Sequence, residues 1–284
     1  MKWESVWQKV PGFEFEETIY EKKYFEMGGV ARITMAYTNP KGLTMITLKG
    51  MSEMIQALRD ARLDETIGVV VIQGSGEKSF CIGGDLRKEQ KDSRQAMEET
   101  PDLELYIRLV GKPVIAAVRG YCIGYGNHLA YHCDFTIAAE NAVFGQVGPR
   151  VGSPAGGKQV AYLARVVGQK RAREMWMLCR RYSAQEALRM GLINAVVPLD
   201  KLEEEVDKWC EEILEKNPTC IRIIKASFDE EIEHMPHGAA YFPNLINPAY
   251  FGSEEQLEAM QAFLEKRKPD WGKIIRKRPD HFGG

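Results

Sequence analysis

The stretches SFCIGGD at Ser79–Asp85 and GYCIGYGNH at Gly120–His128 decide the fold of this chain. Each brings a run of β-forming residues into a glycine-rich turn, where backbone N–H groups can stay unpaired and point at a ligand. Two such turns from different parts of a fold can aim two amides at one oxygen atom. That geometry holds an oxyanion while charge develops on a carbonyl group.

The composition indicates a soluble globular protein, with 44% hydrophobic and 27% charged residues in a chain of 284. A net charge of −2 gives no reason to expect a nucleic acid or an anionic membrane as partner. No apolar run approaches the roughly 20 residues of a membrane span, and the N-terminus lacks a basic-then-apolar secretory pattern. The six cysteines show no metal-ligand spacing and are expected to be buried and reduced. These features predict a cytoplasmic protein without a bound metal.

The order of elements predicts an α/β core built from parallel crossovers, because strands alternate with helices up to about residue 157. Beyond it the pattern is helical, interrupted only by a strand at Ile193–Val197. We therefore divide the chain into a core at 1–200 and a helical region at 201–284 that packs on the core or on another subunit. The loop at His237–Tyr250 is expected to be structured. Predicted strands lie within 13–37 and at Gly68–Gln73, Val114–Val118 and Phe135–Ala138, and predicted helices at Gly50–Leu63, 126–133, 158–167, 169–180, 184–190, 201–216, 218–233 and 254–266.

The two glycine-rich stretches, with Phe144–Arg181 (beginning FGQVGP) and Glu265–Asp270 (EKRKPD), resemble the crotonase (enoyl-CoA hydratase/isomerase) superfamily over residues 14–268. The last two segments are similar to 1,4-dihydroxy-2-naphthoyl-CoA synthases and to hydrolases that open alicyclic 2-oxoacyl-CoA rings. The valine of FGQVGP resembles the hydrolases more. The resemblance implies a spiral of ββα turns with a helical C-terminal trimerisation region. It also implies an acyl-CoA substrate, no tightly bound cofactor, and a homotrimer or a hexamer made of two trimers.

The resemblance implies that the backbone N–H groups of Gly84 and Tyr125 form the oxyanion hole. Tyr125 departs from the family pattern, because a bulky residue stands where the middle glycine of a GGG run is usual. Its amide survives that change, and its phenol either enters the pocket or turns into the core.

Three departures from the family pattern concern the acid and base groups. Hydratases of the superfamily use two glutamates, and His128 and Gly148 stand at those positions. The synthases carry an aspartate where this chain has Ala155, within GSPAGG at Gly152–Gly157. His128 is the candidate proton carrier, since an unperturbed imidazole titrates at about 6.5; the alternative is a buried structural histidine. His132 shares its helix face, but a metal site would need a third ligand.

Gln146, Gly148 and Trp176 match the place where some synthases hold bicarbonate, so a water or an anion could be polarised there; Trp176 could equally be plain core. Ser153 could orient a substrate oxygen or stabilise its turn. The resemblance implies that Tyr250 reaches a neighbouring subunit's site and that Lys266 lies near the 3′-phosphate of CoA. Asp85 could also cap the next helix. Contacts with CoA are implied for Lys41, Cys81, Ile82, Gly83, Asp85, Phe263 and Lys266.

Three functions are compatible with these residues. The first is hydrolytic C–C cleavage of an alicyclic β-oxoacyl-CoA, through an enolate held in the oxyanion hole. The second is the reverse type of reaction, ring closure of the naphthoyl-CoA synthase kind. The third is a non-catalytic acyl-CoA-binding member, in which the lost acidic residues mean lost chemistry.

Overall fold

The computed structural model describes residues 6–85, 102–235 and 245–274. Most of the loop predicted at His237–Tyr250 lies outside these residues, as does the helix that Asp85 is predicted to cap.

The described strands form two sheets. In chain order they are β1 (Gln8–Lys9), β2 (Thr18–Phe25), β3 (Gly28–Met35), β4 (Ile67–Gly74), β5 (Ser79–Cys81), β6 (Val114–Val118), β7 (Tyr121–Ile123), β8 (Phe135–Ala139), β9 (Val143–Gly145), β10 (Arg181–Ser183) and β11 (Ala195–Val197). Seven of them make a sheet in the order β1-β2-β3-β4-β6-β8-β11, and four make a smaller sheet in the order β10-β9-β7-β5. From the third strand of the large sheet onward, neighbours run parallel, as crossover connections require.

Several helices begin at a side chain that accepts a backbone N–H, as Thr47 and Asn217 do. No helix in the described ranges is both long and apolar enough to cross a membrane. The helices are α1 (Leu48–Leu63), α2 (Leu103–Leu109), α3 (Tyr125–His132), α4 (Gly148–Val151), α5 (Lys158–Val167), α6 (Gln169–Leu178), α7 (Ala184–Arg189), α8 (Leu202–Leu214), α9 (Pro218–Glu233), α10 (Glu254–Leu264) and α11 (Trp271–Ile274), with a 3-10 turn at Leu199–Lys201.

Strand β4 shows why the large sheet is covered on both faces. Its side chains alternate, so Val70 and Ile72 join the main core with helix α1. Val69 and Val71 face the other way and pack on helix α8 in a second cluster. The first helix of the C-terminal region thus covers one face of the core sheet.

The predicted alternation of strands and helices is confirmed, including β6 and α5 at their predicted limits. The prediction of one strand after residue 157 is wrong, because β10 pairs antiparallel with β9. This strand has only three residues between two helices, too few for a periodic pattern. The prediction that all cysteines are buried is wrong for Cys220, which is exposed on helix α9.

Two glycines let the smaller sheet close tightly on its neighbours. A Cβ atom on Gly120 would lie 2.1 Å from the carbonyl oxygen of Lys78, and one on Gly126 would lie 2.1 Å from that of Cys81. No side chain fits at such distances, so helix α3 approaches the end of β5 only because residue 126 is glycine.

We expect Gly126→Ala to lower the free energy of unfolding by about 2 kcal/mol or more, because the methyl group must displace backbone. Gly50→Ala is the matched control, also within a helix, where the new Cβ would meet its nearest atom at 3.4 Å. Urea unfolding followed by circular dichroism measures both. Equal stabilities for the two variants would contradict the close packing of α3 on β5.

Candidate active site

The two glycine-rich turns lie side by side because their strands pair in parallel. Strand β5 pairs with β7 through Ser79 and Tyr121 and through Cys81 and Cys122. The carboxyl ends of parallel strands meet at one edge, so both turns open on the same side. A Cβ atom on Gly83 would lie 3.6 Å from the backbone nitrogen of Tyr125. The structure therefore brings together the two segments that the sequence singles out.

Each turn is also held by backbone hydrogen bonds to a further segment of the chain. The Ile82 N–H donates to the Thr44 carbonyl at 2.9 Å, and the Ile46 N–H donates to the Gly83 carbonyl at 3.1 Å. In the second turn the Gly124 N–H donates to the Gly145 carbonyl at 3.0 Å. These bonds fix the turns from outside and do not use the amide of Gly84.

The backbone N–H of Tyr125 is free to donate for a simple reason. Tyr125 is the first residue of α3, and the first N–H groups of a helix have no carbonyl within the helix to reach. Gly83 and Gly124 have φ of 97° and 60°, values that a side chain at either position would strain. The glycines thus lie before the two predicted donors, and Tyr125 itself stands at a helical position that accepts a side chain.

The remaining residues of the first turn are mostly enclosed. Cys81 and Gly83 are buried, Ile82 is half-buried, and burial raises the pKa of the Cys81 thiol to about 12. Asp85 is buried and accepts a hydrogen bond from the Tyr37 hydroxyl at 3.1 Å. Lys41 is exposed, and its carbonyl accepts from the Lys78 ammonium at 3.2 Å.

His128, Gln146 and Trp176 form a buried polar cluster next to the second turn. The His128 ring centroid lies 5.0 Å from that of Trp176 and 5.6 Å from that of Tyr125. Among the described residues, the His128 Nδ1, both amide atoms of Gln146 and the Trp176 indole nitrogen make no hydrogen bond of good geometry. Buried polar atoms without partners in a native protein indicate a polar molecule that the chain itself does not supply.

Burial decides the charge of His128. With only 6% of the residue exposed, burial lowers its pKa to about 4, and the nearby Gln146 side chain opposes this only in part. His128 is therefore neutral at pH 7, unlike the unperturbed imidazole assumed from the sequence. The pKa of His132 is also lowered, by burial and by the positive charges of Arg108 and Lys158. Within the described residues, no three His, Cys, Asp or Glu side chains are grouped to hold a metal.

Gly148 lies at the edge of this cluster. A Cβ atom there would lie 2.8 Å from the Ser153 carbonyl oxygen and 3.8 Å from the Trp176 ring. The Ser153 N–H donates to the Gly148 carbonyl at 3.0 Å, and the Ser153 residue is exposed. The Tyr250 hydroxyl donates to the Gly152 carbonyl at 3.1 Å. Tyr250 thus contacts the 148–153 segment of its own chain, whereas the resemblance implies a neighbour's site.

Phe263 and Lys266 lie far from the two turns in sequence, and both are exposed. Phe263 is 39% exposed near the end of helix α10, and Lys266 follows that helix with a positive φ of 58°. Both therefore remain available on the surface of the single chain.

Glu104 on helix α2 is a residue that sequence reasoning missed. Only 2% of it is exposed, and the Gln159 side chain donates to its Oε1 at 3.1 Å. Burial raises the pKa of its carboxyl to about 7, and Asp102 adds to that effect. One signal in the sequence could have indicated that Glu104 is buried. Asp102 is an N-cap residue before the run LELYIRL, so a helix starts there. On that helix Glu104 shares a face with Ile107 and Arg108, which are both buried.

Comparison with known proteins supports the fold described above. The family described as enoyl-CoA hydratase/isomerase matches residues 26–274. An enoyl-CoA hydratase from Mycobacterium avium subsp. paratuberculosis K-10 is 26% identical, with a TM-score of 0.74 over 90% of this chain and 98% of that one. An enoyl-CoA hydratase/carnithine racemase from Magnetospirillum magneticum is 25% identical, with a TM-score of 0.70 over 92% and 97%. A methylmalonyl-CoA decarboxylase complexed with 2S-carboxypropyl CoA is 26% identical, with a TM-score of 0.78 over 90% and 98%.

Paired glycine-rich turns at one sheet edge, on a two-sheet α/β core followed by helices, define an acyl-CoA-processing enzyme of the crotonase fold. The chain belongs to the enoyl-CoA hydratase/isomerase family.

The low pKa of His128 predicts a pH-dependent stability. The unfolded chain takes up this proton at about pH 6.5 and the folded chain at about 4, so the contribution is complete above pH 6.5 and is lost as the pH falls toward 4. Between pH 7 and 4.5, we expect His128→Gln to lose about 2 kcal/mol less free energy of unfolding than the wild type. His234→Gln, with 75% of that side chain exposed, is the control and should follow the wild type. Parallel losses for all three proteins would contradict a buried neutral His128.

Proposed function

We propose that this protein hydrolyses a C–C bond in the ring of an alicyclic β-oxoacyl-CoA. The observation that carries the proposal is the neutral polar cluster of His128, Gln146 and Trp176 beside the two paired glycine-rich turns. The amides suit a thioester enolate, and the cluster suits a water molecule held next to it. The likeness of FGQVGP at Phe144–Pro149 to ring-cleaving hydrolases supports the same choice.

Hydration of a simple enoyl-CoA is disfavoured by the residues at the two glutamate positions. His128 is neutral and carries no carboxylate, and Gly148 has no side chain. A glutamate at 148 would have to displace the Ser153 carbonyl, which a Cβ would meet at 2.8 Å. Ring closure of the synthase kind is disfavoured by Ala155 at the aspartate position.

In the proposed reaction, water adds to the ring ketone and loses a proton. The C–C bond between that carbon and the α-carbon then breaks, and its electron pair passes to the thioester as an enolate. The amides of Gly84 and Tyr125 stabilise the enolate oxygen, and each such donor is worth ~3 kcal/mol in the transition state. A proton returns to the α-carbon, and the former ketone carbon becomes a carboxylate at the other end of the opened ring. The net change is the addition of one water.

The atoms without partners fit a small polar molecule at the position where related synthases hold bicarbonate. The Gln146 amide, the Gly148 backbone and the Trp176 indole nitrogen would hold a water or a bicarbonate, which would supply a base. His128 at neutral pH presents one imidazole nitrogen that accepts a hydrogen bond and can orient the attacking water.

The experiment is incubation with a panel of cyclic oxoacyl-CoAs in ¹⁸O-labelled water, read by mass spectrometry. We expect the gain of one water, with label in a new carboxylate, and a loss of roughly 10²-fold in turnover for His128→Ala. His234→Ala is the surface control. CoA affinity should change little in either variant. Closure of an aryl-succinyl-type CoA would instead assign a synthase, and CoA binding without turnover would assign a binding protein.

We further propose that three copies assemble and that two trimers can pair. Helix α9 exposes Ile223, Ile224 and Phe228 at 61%, 55% and 76%, which is more apolar surface than one helix face normally leaves in water. In that assembly Tyr250, Phe263 and Lys266 complete a CoA site at the interface, as the resemblance implies.

Light scattering of the full chain and of a chain truncated before residue 240 tests this assembly. We expect a trimer or hexamer for the full chain, and weaker CoA binding after truncation, because Phe263 and Lys266 are lost. Phe228→Ser should weaken assembly, since a polar residue replaces a large apolar one in the proposed interface. A monomeric full-length enzyme with undiminished CoA binding would contradict the proposal.

A further inference from the structure

Glu104 is a buried carboxyl, and the side chains that face it include neutral amide and phenol groups. Helix α2 packs on helix α3, and the Tyr125 phenol of α3 faces the Glu104 carboxyl. From helix α5, Gln159 donates to Oε1 at 3.1 Å, and the backbone carbonyl of Gln159 accepts from the Tyr131 hydroxyl at 2.6 Å. Amide and phenol groups can satisfy a carboxyl group in either protonation state.

Two cations near this carboxyl have other partners. The buried Arg108 guanidinium donates to the backbone carbonyl of Glu104 at 3.1 Å. Lys158 forms its ion pair with Asp102 at 2.9 Å, and within the described residues no Lys, Arg or His makes an ion pair with Glu104. An unpaired buried charge is unfavourable, so the neutral acid is the favoured form until the pH rises to about 7. A carboxyl that changes charge near neutral pH is suited to proton transfer.

Tyr125 connects Glu104 to the paired turns. Its backbone N–H is one of the two predicted oxyanion donors, and the residue is half-buried against the main core. Its hydroxyl is buried and has no hydrogen bond of good geometry among the described residues. One residue therefore has its amide at the oxyanion site and its hydroxyl against the buried acid.

We propose that Glu104 is the proton reservoir of this site and that the Tyr125 hydroxyl carries the proton between Glu104 and the α-carbon of the bound thioester enolate. The inference rests on the proposed function only in requiring a thioester enolate, and it holds whichever ring is cleaved. Tyr125 would then contact the ligand directly. Glu104 would not contact the ligand, and it would position Tyr125 and supply the proton that Tyr125 transfers.

The transfer balances as follows. The α-carbon of the enolate takes the hydroxyl proton of Tyr125 into a new C–H bond, and the enolate electrons form that bond. The Tyr125 oxygen takes the proton of Glu104, which becomes a carboxylate, and water then reprotonates Glu104. In the reverse direction, a C–H bond breaks, Tyr125 receives the proton, and the Glu104 carboxylate takes the Tyr125 proton in turn.

The groups that face Glu104 determine its pH dependence. Burial raises its pKa, and the negative charge of Asp102 adds to this, while a backbone hydrogen bond, the Tyr125 hydroxyl and the charge of Lys158 lower it. The Arg108 guanidinium lies on the same helix, at the backbone carbonyl of Glu104. The buried Tyr131 phenol faces it from helix α3, and its own pKa is raised by burial and by Glu104. His128 titrates at about 4, well outside the range in which Glu104 does.

The test uses cyclohexanecarbonyl-CoA, a ring thioester with one α-hydrogen and no bond that hydrolysis of the ring could break. Exchange of that hydrogen with D₂O requires the Glu104 carboxylate as the final acceptor. We expect the wild-type exchange rate, followed by mass spectrometry, to rise with pH through about 7 and then level off. Glu104→Gln should slow exchange by roughly 10²-fold and remove the inflection.

Two further variants separate proton transfer from a structural role. Tyr125→Phe keeps the backbone N–H and should slow exchange as much as Glu104→Gln, and the double variant should be no slower than either single one. Glu53→Gln is the matched control, because Glu53 is also buried but accepts the Glu16 and Glu17 N–H groups far from the site. It should keep the wild-type rate and inflection.

An infrared measurement needs no turnover. The difference spectrum of wild type minus Glu104→Gln should contain a protonated carboxyl band that disappears as the pH rises above 7. A missing band, an unchanged inflection in Glu104→Gln, or no exchange in the wild type would overturn the proposal. Exchange that depends on Glu104, together with no cleavage of any ring thioester, would refute the proposed function and leave this inference standing.

Discussion

The parallel pairing of β5 with β7 is the constraint on which the site depends. It sets two turns from distant parts of the chain at one sheet edge, with residue 83 of the first beside the Tyr125 amide of the second. The contact is possible only because a Cβ is missing at Gly120 and Gly126, where backbone lies 2.1 Å from the place it would take. Backbone amides held in this way need no reorganisation when charge develops nearby, and for this reason the edge suits the proposed oxyanion hole.

A second constraint is the burial of polar groups around these turns. Desolvation disfavours charge on His128 and on Glu104, so it lowers the pKa of His128 and raises that of Glu104. Glu104 consequently changes charge near pH 7, whereas His128, Gln146 and Trp176 present neutral donors and acceptors at that pH. Neutral donors and acceptors can bind and orient a polar reactant, because they do not form strong ion pairs with one another that the reactant would have to break.

The sequence predicts the strands and helices well where apolar residues continue over several turns of a helix, as in α5 and α9, or through a whole strand, as in β4. It also identifies both glycine-rich turns, because glycine is required locally by backbone geometry. It fails for β10, which is too short to be periodic, and for Glu104, whose importance comes from Tyr125 and Gln159 on other helices. The pKa of His128 could not be predicted either, since burial is a property of the folded chain.

The departure from the hydratase pattern is built into the backbone as well as into the side chains. The turn from Gly148 to Ser153 closes through a hydrogen bond of 3.0 Å and places the Ser153 carbonyl 2.8 Å from where a Cβ of residue 148 would be. A glutamate there would require this turn to open, and Tyr250 and Gln256 both donate to the Gly152 carbonyl within it. One substitution therefore could not convert this site into that of a two-glutamate hydratase. The chemistry proposed for this site therefore rests on groups beside the turns, such as His128, Gln146 and Trp176, and on the proposed Tyr125–Glu104 pair.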